Sequence, residues 1–238
     1  VRVLSLLLIG TLAFAQQKNF IACPIVRDTQ TVPCFLAEYE GETYYLGIQQ
    51  DITNAFHPPQ LKHEVLVEGQ VAQGPRICGG IPLEPLTISV IKEVNLGCNL
   101  LLPAEPGIEA PPAPRGPGPS SKRPSAPPAK PARAGEQQFV ILYSFDDDYL
   151  EFAGNAIVTE AAAYAKRPGA GTVTITGYQG ATILSNGIRI TEKEGLSETR
   201  AKNIATVLKG LGASVTKIES KTDTQAGPAG RRVVITIQ

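Results

Sequence analysis

The stretch Gly195-Leu196-Ser197-Glu198-Thr199-Arg200-Ala201 holds the residue best placed to do chemistry, Arg200. It opens an apolar helical period, and Ser197 reads as the N-cap. Arg200 then falls at about the third helical position, where a Glu or Gln would complete a capping box. A cation there faces unpaired helix N–H groups that already present positive charge. Such an arginine is expected beside an anion, its fork and the helix N–H groups converging on one carboxylate. The alternative is a solvated arginine on a helix end.

Other residue types offer less. Asp146-Asp147-Asp148 precede a helical period and read as N-terminal capping acids rather than metal ligands. His57 and His63 sit in or beside a proline-containing polar stretch, with no acid or thiol at ligand spacing, and read as surface histidines. There is no Gly-x-Ser-x-Gly elbow and no phosphate loop. Neither an enzyme nor a metal or other cofactor is expected. A net charge of zero gives no global field for nucleic acid or an anionic membrane.

Cys23, Cys34, Cys78 and Cys98 all precede the proline-rich region and lack the paired spacing of a zinc site. An even number in an exported segment reads as disulfides. Three pairings are possible; Cys23–Cys34 with Cys78–Cys98 is preferred here, because each closes a short local loop. Export is read from residues 1–15: Arg2, an apolar run from Val3 to Leu12, and Ala13-Phe14-Ala15 as a small-x-small cleavage site. That run is shorter than the roughly 20 residues a membrane span needs.

These residues must be positioned by two differently patterned regions. Residues 18–102 read as a small β domain, with strand runs at Cys34–Tyr39, Thr43–Ile48, Glu64–Glu68 and Leu86–Ile91 and a turn at Glu40-Gly41-Glu42. About five short strands suggest a small barrel or sandwich, of oligonucleotide/oligosaccharide-binding type. Residues 103–136 hold more than half of the twenty prolines, and their charges from Arg115 to Arg133 are all positive. This segment reads as a basic, disordered, polyproline-like linker. Residues 137–238 alternate strands and helices in the order βαβαββ, an α+β sandwich with helices on one face of a sheet. Within them, Ser185-Asn186-Gly187 between Thr182–Leu184 and Ile188–Ile190 is a hairpin signal beside the Arg200 helix.

Residues 137–238 resemble the OmpA-like family of peptidoglycan-associating domains of the bacterial envelope. The resemblance is carried by Thr176-Gly177-Tyr178 at a strand end, by Leu196-Ser197-Glu198-Thr199-Arg200-Ala201 against a Leu-Ser-x-x-Arg-Ala helix start, and by Gly230-Arg231-Arg232-Val233 before the last strand. It implies a periplasmic or outer-membrane-associated protein that binds peptidoglycan non-covalently. Arg200 would hold the carboxylate of a diaminopimelate-type stem peptide, with Tyr178, Gln179, Ser197 and Arg232 around it. The family's Asp partner is replaced at Gln179-Gly180. Glu192, Glu194 or one of Asp146 to Asp148 is left to supply that anion. Loss of the Asp also implies a second function, a protein-interaction or scaffold module without ordinary peptidoglycan binding. An envelope partner would meet the N-terminal domain; of Arg231 and Arg232, at most one faces a ligand, and pairing with a carboxylate is the expected role.

Overall fold

A computed structural model describes residues 16–49, 60–112 and 136–238. The expected signal peptide (1–15), His57 and most of the expected linker lie outside the described residues.

In the N-terminal domain seven strands form one sheet: β1 (Gln17–Ala22), β2 (Pro24–Arg27), β3 (Cys34–Tyr39), β4 (Glu42–Ile48), β5 (His63–Val71), β6 (Ile81–Val94) and β7 (Leu100–Leu102), in the order β1-β5-β6-β4-β3-β2-β7. The β3–β4 hairpin turns at Glu40-Gly41, both at positive φ. Alternation sends Phe20, Phe35, Ala37, Tyr44, Leu46, Val65, Val67 and Ile88 into one core, while Ile25, Leu36, Tyr45 and Ile48 form a second cluster with the Cys34 and Cys78 side chains. Ile108 and Ala110, assigned to the linker by composition, pack against this second cluster. Tyr44 and Tyr45 are both buried, one in each of these clusters.

All four cysteines are paired, but not locally. The bonds are Cys23–Cys98 and Cys34–Cys78, so the preferred pairing is corrected. Sheet order explains it: β2 lies between β3 and β7, which brings the chain just before β2 beside the residues leading into β7.

The C-terminal domain runs β8 (Gln137–Leu142), α1 (Phe152–Ala165), β9 (Val173–Ile183), β10 (Arg189–Thr191), α2 (Leu196–Gly210), β11 (Lys217–Ala226) and β12 (Arg232–Ile237). The expected βαβαββ order is present, with the hairpin as an added strand. The sheet order is β10-β9-β12-β8, with β11 parallel to β9 along its other edge. Val158, Ala161 and Ala162 of α1 and Ala201, Ile204, Ala205 and Leu208 of α2 pack on Ile141, Val173, Ile175, Val233 and Ile235 of the sheet. Each fully buried Leu, Ile or Val contributes about 1.5–3 kcal/mol. The hairpin forms as its sequence requires, with Arg189 opposite Ile183 and Gly187 at φ +84°.

Two terminus assignments are corrected. The N-cap of α2 is Gly195 at φ +82°, and Ser197 is already helical and buried. Glu198 therefore occupies the first turn, where an acid complements the helix dipole, and Arg200, the fifth residue of α2, falls in the second turn. Nor do Asp146 to Asp148 cap α1, whose N-cap is Glu151.

A buried ion pair and several hydrogen bonds join the two sheet regions. Glu68 of β5 and Arg231 form a doubly hydrogen-bonded ion pair, and both side chains are buried. The Thr182 hydroxyl donates to Glu68 at 2.6 Å and accepts from Arg231 at 2.9 Å. At the hairpin, Ser185 N–H donates to the Asn19 carbonyl, and Asn19 N–H donates to Ser185 Oγ. Phe145 N–H donates to Ser89 Oγ of β6 at 2.8 Å.

Candidate functional site

The site is built where the first turns of α2 cross the middle of β9. Gly177 permits the approach: a Cβ there would lie 1.9 Å from the Ser197 carbonyl oxygen. Arg200 thereby points under the β8–α1 loop, among residues 144–147, and has no solvent exposure.

Its guanidinium has five N–H donors, and all five are used. Nε donates to the Asp147 carbonyl at 2.8 Å. Nη1 donates to the Tyr178 carbonyl at 3.1 Å and to Glu192 Oε2 at 2.9 Å. Nη2 donates to the Ser144 carbonyl at 3.1 Å and to Glu192 Oε1 at 2.6 Å. The group also lies over the Tyr143 ring, 4.8 Å from its centroid. The predicted anion is thus present, and it belongs to the protein.

Glu192 is equally satisfied. Besides the arginine fork, its oxygens accept from Asp146 N–H at 3.0 Å and Gly180 N–H at 2.8 Å. Asp146 adopts a left-handed conformation (φ +56°) that suits this donor and accepts from Lys193 N–H at 2.7 Å. The Glu192 carboxylate, bidentate on an arginine and supported by two backbone N–H groups, has the contacts a bound carboxylate ligand would make.

The other expected residues divide. Ser197 Oγ donates to Gln179 Oε1 at 3.3 Å, which joins α2 to β9. Tyr178 contributes its carbonyl to Arg200, while its ring carries the guanidinium of Arg232 at 4.2 Å. Arg232 itself donates to Asp223 at 2.5 Å and to the Ala229 carbonyl, so its guanidinium is already partnered within the protein. Arg231 is bound to Glu68. Glu194 is exposed, and Asp147 and Asp148 meet Lys92 of β6. His63 Nδ1 is hydrogen-bonded with the Ile91 carbonyl inside the β domain.

Among the described residues, the acid and thiol cluster closest to ligand geometry is Cys23, Glu64 and Cys98, whose sulfurs are joined in a disulfide. No helix among the described residues is long and apolar enough to cross a membrane. Sequence reasoning did not single out Ser144, Tyr143 or Glu68. A charged residue closing the apolar run Val65-Leu66-Val67 was the available signal for Glu68.

Among the solved structures to which this chain is similar, two each match 42% of its length. One is the OmpA-like domain of FopA1 from Francisella tularensis subsp. tularensis SCHU S4, at 23% identity over 71% of that chain with a TM-score of 0.34. The other is the peptidoglycan-associated lipoprotein from Burkholderia pseudomallei, at 18% identity over 90% of that chain with a TM-score of 0.30. No protein-family model and no curated protein matches the chain.

Proposed function

We propose that this chain is an exported, non-enzymatic cell-envelope protein whose OmpA-like domain serves as an interaction or scaffold module, its stem-peptide site being filled from within. The N-terminal domain is the face offered to an envelope partner. One observation carries the reading: Glu192 takes both ends of the Arg200 fork, and three carbonyls take the rest. A guanidinium with no free donor and no exposure has nothing to offer a second carboxylate.

The alternative, peptidoglycan held through Arg200, requires Glu192 to leave. Co-sedimentation of the full chain with purified sacculi tests the choice. The chain is expected to stay in the supernatant. Sedimentation reversed by free diaminopimelate would overturn the scaffold reading.

A further inference from the structure

We propose that Glu192 is a displaceable internal ligand of a carboxylate site, latched in place by the N-terminal domain. The inference rests on the reading that Glu192 fills the site, and it adds that the site remains competent once emptied.

The segment carrying Glu192 lies on the surface. Thr191, Lys193, Glu194 and Gly195 are all exposed, and Glu192 alone reaches inward. Moving this segment releases the Glu192 carboxylate from Arg200, breaks the bond from Glu192 N–H to the Gly180 carbonyl, and displaces no residue of the apolar core. Gly195, at φ +82°, stands between the segment and α2, where a glycine allows the chain to change direction. What remains after departure is a cradle of fixed donors. The Arg200 fork is held by the Ser144, Asp147 and Tyr178 carbonyls, and Gly180 N–H and Asp146 N–H point at the vacated carboxylate position. Such a cradle recognises a carboxylate of the acetate or glutamate-side-chain kind and rejects a neutral isostere, since a charged acceptor bonds about twice as strongly.

The latch consists of adjacent residues of β6. Lys193, next to Glu192, donates to Glu93 at 3.0 Å across the domain boundary and lies 3.5 Å from Asp146. Lys92 meets Asp147 at 3.1 Å, the residue whose carbonyl accepts from Arg200 Nε. The residue that follows Glu192 and the loop residue that accepts from Arg200 Nε are thus both tied to one strand of the N-terminal sheet. These exposed pairs are individually weak, which suits a contact that must release.

Chemical rescue tests the cradle. Glu192→Ala in the full chain removes the carboxymethyl group, and acetate replaces it. The thermal midpoint of Glu192→Ala is expected to fall well below that of the unaltered chain. Saturating acetate should raise it by roughly 5 °C, with no rise from acetamide. The double variant Glu192→Ala/Arg200→Met should not respond to acetate. If Glu192→Ala is unfolded without ligand, recovery of structure in acetate is the same readout. No response to acetate, or an equal response to acetamide, overturns the inference.

The latch is read by hydrogen exchange in Glu93→Lys, where the site itself is intact. Exchange at Gly180 and Asp146 N–H should quicken severalfold and return to the original rate in Glu93→Lys/Lys193→Glu. Unchanged exchange in Glu93→Lys overturns the latch. Sacculus binding by the unaltered chain would overturn the scaffold reading alone, whereas failed rescue would leave that reading standing and remove this one.

Discussion

A guanidinium buried with a single carboxylate leaves three N–H groups unanswered, and each unanswered buried donor costs about 1–3 kcal/mol. The β8–α1 loop and β9 supply Arg200 with three carbonyls, which is why a charged pair tolerates full burial here. Truncating one partner of such a pair costs about 3–5 kcal/mol, because the other charge is stranded. Beneath the guanidinium, the Tyr143 hydroxyl is buried and has no hydrogen-bond partner among the described residues. Burial pushes its ionisation well above the usual tyrosine range, so the ring remains a neutral phenol. Its useful part is the π face under Arg200, and its hydroxyl is a liability. Tyr143→Phe is therefore expected to match or exceed the parent in urea unfolding, by up to about 1 kcal/mol. A loss of more than that would reveal a hydrogen bond on the hydroxyl.

The strands and helices of the C-terminal domain follow from period and punctuation: Val173 and Ile175 alternate inward, Ala201, Ile204, Ala205 and Leu208 make a stripe, and Gly187 closes the hairpin. The start of α2 was less legible, because Ser197 is a good N-cap by type but Gly195 takes the cap. Arg200 at a helix start is compatible with a nearby anion or with solvent, and local pattern cannot reveal which of several nearby acids folds back onto it. The disulfide pairing was hidden for the same reason, since sheet order and not sequence proximity brings Cys23 to Cys98. Among the elements, β11 carries the clearest pH dependence. It pairs along one side with β9, and the alternate residues Lys217, Glu219 and Lys221 place like-facing charges on an edge strand, which discourages further strand pairing. Hydrogen bonds from Lys217 and Lys221 hold the Glu219 carboxyl down to about 2. A carboxylate depressed in the folded state stabilises above its unfolded value, about 4.3, and loses that contribution as pH falls toward the folded value. Glu219→Gln should thus melt slightly below the parent at pH 7, by no more than solvent-screened pairs allow, about 1 kcal/mol. The gap should close between about pH 5 and pH 2 and shrink in high salt. A gap independent of both would assign the effect to packing.

At the scale of the whole molecule, the decisive contact is the one that sequence could not reveal, Glu68 of the N-terminal sheet buried against Arg231 of the C-terminal sheet region with Thr182 between them. A buried ion pair adds little net stability over apolar residues of the same size, but breaking it by removing one partner is costly. Its expected effect is therefore on specificity: a displaced docking would leave a bare charge in the interface, which favours one register. That register sets Lys92 and Glu93 over the Glu192 segment, so the state of the Arg200 site is tied to domain docking. Calorimetry checks this directly. The unaltered chain is expected to unfold in one transition. Arg231→Ala strands Glu68, at a cost of about 3–5 kcal/mol concentrated in the interface, and should split unfolding into two transitions. Both disulfides lie within the β domain, so reduction should lower only one of those two. Glu68→Leu/Arg231→Met removes both charges and should bring the transitions back together. One unshifted transition in Arg231→Ala would mean that the domains are held by the surface contacts instead, and the latch on Glu192 would then be independent of this pair.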